Sequence, residues 1–314
     1  MTSALLLAGL LLLSACSGAQ KGPSDTRAFP RVQVPSLYSG QDEMMEYVLD
    51  HFWDAYLTTD NTYRTDSLYM AGVGVGDIVE QIFSYAAILE SCPIENARKS
   101  IDLLMDRLEA CHDSDTLLFS KMTSMLSDCL YDPNSELRDE DLYSEIARRL
   151  SASPYVSPDM KDTYEYQARM CSLNARGTGA ADFAFIDTDG VRGTLYGVKS
   201  EFTVLIFVNP GCHACGEVVA PFSSEPVMRL ISDGRLSVLG IYIDDEIDKW
   251  KEGRDELPAH WINGYDPEGI IRADSIYSVR AIPSIYLLDK DKNVIMKDAV
   301  PQRAVAFLQN NMSI

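Results

Sequence analysis

Cations are scarce in this chain: 27 lysines and arginines stand against 47 aspartates and glutamates, a formal net charge of −20. No basic cluster is available to release counterions from a phosphate backbone, which excludes nucleic acid as a partner. Long apolar runs are missing too. The longest, in MTSALLLAGLLLLSAC, has about 12 residues, where a helix crossing a bilayer needs about 20. Histidine is rare, and His51, His112 and His260 stand isolated. There is no second C-x-x-C and no H-x-x-x-H, so a zinc site lacks ligands, and neither metal nor cofactor is expected. The stretch Gly72 to Asp77 (GVGVGD) has Asp where a dinucleotide loop needs its last glycine, and no strand precedes it; it reads as a helix entry.

What is present begins with a leader. The short apolar run suits export, and Leu13-Ser14-Ala15-Cys16 resembles the bacterial lipobox, in which small residues precede a cysteine that receives lipid and becomes the mature N-terminus. No Lys or Arg precedes the run. Residues 1–16 are accordingly read as a lipoprotein signal peptide ending in Cys16, and two or more acyl chains would anchor the protein firmly to a membrane. Residues 17–40 begin rich in Ser, Gly and Pro, which fits a tether. Export implies an oxidising compartment, where disulfides are permitted.

The remaining 274 or so residues are enough for two cores. Over residues 41–176 the apolar positions recur at helical spacing, as in Ile78, Ile82, Ala86 and Leu89, or Ile101, Leu104, Leu108 and Cys111. About six packed helices are expected. Ser157-Pro158 is a helix-start signal, and Asp132 to Ser135 a turn. Cys111, Cys129 and Cys171 fall on apolar stripes, as small core residues do. Cys92 precedes Pro93 at a helix end, and a disulfide among the four stays open.

Over residues 177–314 strands alternate with helices. Asp182 to Ile186 reads as a short strand. Thr203 to Val208 is a continuous β-branched and aromatic run, the mark of a strand buried on both faces. A helix follows from about His213 to Ser232 and a strand from Ser237 to Ile243; Asp245 can cap a short helix. Ser284 to Asp289 and Val294 to Lys297 form a hairpin, and Gln302 to Asn311 a closing helix. This order implies an α/β unit, a mixed central sheet with helices on both faces, behind an all-α unit.

Asn209 to Glu217 (NPGCHACGE) sets two cysteines at the end of the buried strand and the start of the helix. Free amides and the helix dipole there favour a negative charge on Cys212. Free cysteine, with a pKa of about 8.5, is only about 3% thiolate at neutral pH, and the thiolate is the nucleophile of disulfide exchange. Cys215, one turn on, is placed to resolve the mixed disulfide.

In these features the chain resembles the thioredoxin superfamily: the strand TVLIFV, the CHAC motif, the following helix, and Ser278 to Ser284 (SVRAIPS) entering YLLD. The resemblance implies a cis peptide between Ile282 and Pro283, beside the cysteines, whose backbone holds a substrate peptide as an added strand. Departures are visible. Gly211 stands where thioredoxins carry tryptophan, Ile206 replaces a buried aspartate, and Pro221 comes one residue late. Glu217 is then the nearest acid for proton transfer, or else a solvated helix-face residue. His213 is either a cation favouring the thiolate or an exposed helix residue.

LYDPNSELRDEDLY (residues 130–143), LNARGTGAADF (173–183) and WINGYD (261–266) further resemble thioredoxin-like lipoproteins, of the TlpA/ResA type, from Bacteroides-type bacteria with an uncharacterised helical N-terminal domain. A copper chaperone of this fold would place three residues between its cysteines. A peroxiredoxin would carry Thr or Ser at Asn209 and Pro at Leu205. The resemblance implies a membrane-anchored thiol-disulfide oxidoreductase, a reductase, in the cell envelope, facing the periplasm or the outer surface. Its partners would be exported thiol or disulfide proteins and a membrane electron donor. The alternative is an envelope binding or assembly factor whose CHAC is a structural or vestigial disulfide.

Overall fold

The computed structural model describes residues 26–312, so the leader and Cys16 lie outside the described residues. The first half is helical. After α1 (Gln41–His51), Tyr69–Met70 (β1) and Val73–Gly74 (β2) form a small antiparallel hairpin that the periodicity does not predict. The stretch read as a helix entry therefore first supplies the hairpin turn, with Gly72 at φ +79°, and only then α2 (Val75–Ser91). Pro93 separates α2 from α3 (Ile94–Cys111). Then come α4 (Thr116–Leu130), α5 (Glu140–Ala152) and α6 (Pro158–Cys171).

Aspartates start two of these helices: Asp115 accepts the Leu118 amide at 2.9 Å and Asp139 the Leu142 amide at 3.0 Å. Ser157 holds the N-cap position before Pro158 but makes no side-chain cap bond. The apolar stripes meet in one core, in which Cys111, Cys129 and Cys171 are buried free thiols. Burial pushes the Cys129 thiol up from its ordinary 9.0 to about 11 and raises Cys171 further.

In the second half β3 (Ala184–Asp187) and β4 (Arg192–Thr194) precede β5 (Phe202–Phe207), then α7 (His213–Phe222), α8 (Glu225–Ser232) and β6 (Leu236–Tyr242). α9 (Ile247–Gly253), β7 (Ile262–Tyr265), α10 (Ile270–Ala273), β8 (Ser284–Asp289), β9 (Val294–Met296) and α11 (Pro301–Asn311) complete it. The seven strands form one mixed sheet in the order β4-β3-β7-β6-β5-β8-β9, with β5, β6 and β7 parallel and the other pairs antiparallel.

β5 lies inside the sheet between β6 and β8, and its side chains alternate between two cores. Val204 and Ile206 pack with residues of α7, α8 and α11, while Leu205 and Phe207 pack on the other face with Ile271, Tyr277 and Tyr286.

Two expectations are corrected here. The single helix over His213 to Ser232 is two: Pro221 lacks an amide to donate, and Pro226 fits only a first helical turn, so the chain breaks at Ser223-Ser224. Glu246, not Asp245, stands at the N-cap of α9, with no side-chain cap bond. WINGYD contains β7, a strand with too few β-branched residues to show a pattern of its own.

Candidate functional site

Because β5 is buried on both faces, its end is fixed, and the chain must turn sharply to enter α7. Gly211 makes that turn at φ +74°, a left-handed conformation that glycine adopts without a Cβ penalty. Its amide donates to Glu256 Oε2 at 2.8 Å. Cys212 follows in extended conformation as the N-cap of α7, and its sulfur accepts the Cys215 amide at 3.4 Å. The first sulfur thus takes the capping place ordinarily held by a serine or aspartate oxygen. It is half-buried.

Cys215 is only 3% exposed and belongs to the core that contains Ile206. Its sulfur accepts the Asn209 amide at 3.5 Å. Burial pushes its thiol up to about 12; the neighbouring Cys212 adds to the rise and the Asn209 amide opposes it. Asn209 is held in turn by Asp244, which accepts its side-chain amide at 2.7 Å and pairs with Arg272.

The peptide between Ile282 and Pro283 is cis. This loop enters β8, which pairs with β5, so the sheet carries it to the cysteines. Cys212 Sγ lies 3.9 Å from the Ile282 carbonyl oxygen, and both residues pack against the core that holds Cys215. Cys212, Cys215, Ile282 and Pro283 are therefore brought together.

His213 and Glu217 are elsewhere on α7, with side chains 95% and 70% exposed, and they face each other at 3.4 Å. Burial, the Asn209 amide and Cys212 act on the Cys215 thiol. Ile206, in place of an acid, is fully buried. Glu256, Asn209 and Asp244 escape sequence reasoning, since the first is 45 residues from its partner Gly211 and the last 35 residues from Asn209. Only Asn209-Pro210-Gly211, a turn signal, hints at their setting.

Among the described residues no group of three or more His, Cys, Asp or Glu side chains is arranged to hold a metal ion. Among the same residues no helix is long and apolar enough to cross a membrane.

A mixed sheet with a C-x-x-C pair at a helix start facing a cis-proline loop defines a thioredoxin-like protein. The first half has its own signature: residues 14–174 match the family described as a domain of unknown function, DUF5106, and the chain belongs to that family. The crystal structure of a thioredoxin-like protein from Bacteroides caccae is similar along nearly the whole length, with 30% identity, a TM-score of 0.76, and coverage of 91% of this chain and 99% of that one.

Two shorter structures align with less of it. The C-terminal domain of an uncharacterized protein from Bacteroides fragilis is 43% identical over 43% of this chain and 97% of its own (TM-score 0.42). A thiol:disulfide interchange protein from Bacteroides sp. is 18% identical over 45% of this chain and 91% of its own (TM-score 0.39). No curated protein matches the chain.

Proposed function

We propose that the protein is a membrane-anchored thiol-disulfide oxidoreductase that reduces disulfides in exported proteins. One observation carries the reading: a half-buried sulfur at the N-cap of α7, backed by a buried thiol one turn on, faces the Ile282 carbonyl beside a cis-proline.

The Cys212 thiolate attacks a client disulfide. One client sulfur leaves as a thiolate and takes a proton from solvent, and a Cys212–client disulfide remains. Cys215 then gives up its proton and attacks Cys212. The mixed disulfide breaks, the client departs with two thiols, and Cys212–Cys215 carries the disulfide. A dithiol donor in the membrane restores the pair.

With its thiol pushed up to about 12, Cys215 stays protonated at pH 7. The reducing direction rests on the resemblance to TlpA/ResA-type proteins, which implies a reductase. Loss of the Cys212 thiol into the mixed disulfide removes one of the influences raising Cys215, while burial, the largest, remains.

The anchor is assigned to Cys16, and its test is fractionation: Cys16→Ala should move the protein from the membrane to the soluble fraction, and unchanged membrane association would overturn the assignment. His213 and Glu217 remain modulators of the thiolate or of proton transfer, acting from the exposed side of α7.

The activity is tested by insulin reduction. The wild type should turn over, Cys212→Ser should not, and Cys215→Ser should accumulate a client disulfide; turnover equal in all three refutes the exchange reading. A potential near that of strong oxidants, about −120 mV, would reverse the direction.

A second reading, an envelope binding factor, is favoured by an apolar groove of about 730 Å³ beside Val79, Phe83, Met125 and Leu137 in the helical half.

A further inference from the structure

Glu140 is the first residue of α5, and its side chain is fully buried. A carboxylate taken out of water must find cations or donors, and this one finds them in the other half of the molecule. Its Oε1 accepts from Arg280 Nε at 2.6 Å and from Ser278 Oγ at 3.0 Å, and its Oε2 lies 3.0 Å from Lys297 Nζ.

Arg280 is clamped from both sides. Its guanidinium lies 4.3 Å over the Tyr131 ring, donates to the Tyr131 carbonyl at the end of α4, and meets Asp298 at 2.5 Å. Ser278 and Arg280 belong to the segment that runs into the cis peptide. One residue, Ala281, separates Arg280 from Ile282, whose carbonyl faces Cys212.

An interface meant only to join two halves gains little from a buried ion pair, because desolvation offsets most of the attraction and apolar packing does as well. What the ion pair adds is direction: one carboxylate oxygen accepts from two side chains of one loop, Ser278 and Arg280, and ties both to α5. We infer that the helical half positions the client-binding loop of the redox half, with Glu140 as the positioning residue acting through Ser278 and Arg280. This rests on the exchange activity proposed above. It gives the helical half a part in disulfide exchange without any residue of its own touching sulfur.

The full chain tests it with Glu140→Gln and with Ser278→Ala, which removes a single buried bond and keeps the ion pair should Glu140→Gln fail to fold. Two readouts are taken. The first is amide hydrogen exchange over residues 278–284. The second is KM and kcat for insulin, set against the reaction of Cys212 with a small aromatic disulfide too short to use the loop.

In a folded variant, exchange in the loop should speed up about tenfold and KM rise several-fold. The turnover number and the small-disulfide rate should stay within about twofold. Unchanged loop exchange together with unchanged KM in Ser278→Ala and in any folded Glu140→Gln overturns the inference, even if the unfolding midpoint drops. If the wild type fails to reduce insulin, the proposed function fails, and loop exchange alone still decides whether Glu140 positions the loop.

Discussion

Gly253 and Pro210 are in direct contact: a Cβ added to Gly253 would lie 2.4 Å from the Pro210 Cβ. Gly253 ends α9, and Pro210 stands two residues before Cys212, so the turn that presents the first sulfur leans on the absence of a side chain 43 residues further along. Gly253→Ala should therefore displace the turn, at a cost of about 1–3 kcal/mol in stability. Insulin reduction should fall roughly tenfold, because small misplacements of reacting groups are expensive. Denaturant unfolding and a turnover assay check this together; full activity at wild-type stability would show that Pro210 yields freely.

Alkylation of the reduced native protein should be selective. Cys212 is accessible at the N-cap, whereas Cys111, Cys129, Cys171 and Cys215 are buried with thiols raised above their ordinary value. At pH 7.5 iodoacetamide should modify Cys212 well ahead of these four, as peptide mass mapping would show. Comparable labelling of Cys215 would contradict its burial.

Resolution of the mixed disulfide should depend steeply on pH. The Cys215 thiolate is the attacking form, and its pKa is held up first by burial, which persists after Cys212 has bonded to a client. The rate of client release should then climb roughly tenfold per pH unit from pH 7 to 9. Rapid-quench measurement on a preformed mixed disulfide would reveal the trend, and a plateau at neutral pH would mean that a base assists Cys215 after all.

Alkali should destabilise the helical core through Cys129. Its folded pKa is about 11 against an ordinary 9.0, so the stability this thiol contributes is complete below pH 9 and is lost as pH rises through 11. Two pH units correspond to about 2.7 kcal/mol at most. Urea unfolding from pH 8 to 11 should fall less steeply in Cys129→Ala than in the wild type; parallel slopes would exclude the thiol as a source.

Arg280 shows how far local reading reaches. Its position two residues before Ile282 is plain in the sequence, and so is Glu140 at the head of an amphipathic helix. Their bond is not, since 140 residues separate them and neither has a local pattern that names a partner. The short strands β4 and β7 escape for a related reason. Three or four residues carry too little alternation to stand out, and they become strands because the neighbours β3 and β6 offer them hydrogen bonds.

The sequence by itself determined the helical stripes, the buried strand β5 and the cysteine pair at the start of α7. Each of these depends on periodicity or on groups within one helical turn. Tertiary structure alone decided which sulfur is reachable, that Glu256 and Gly253 brace the turn, and that Glu140 holds the cis-proline loop. Those contacts follow from chain closure, which brings together residues that share no local constraint, and their strength comes from burial, which exists only after the halves have packed.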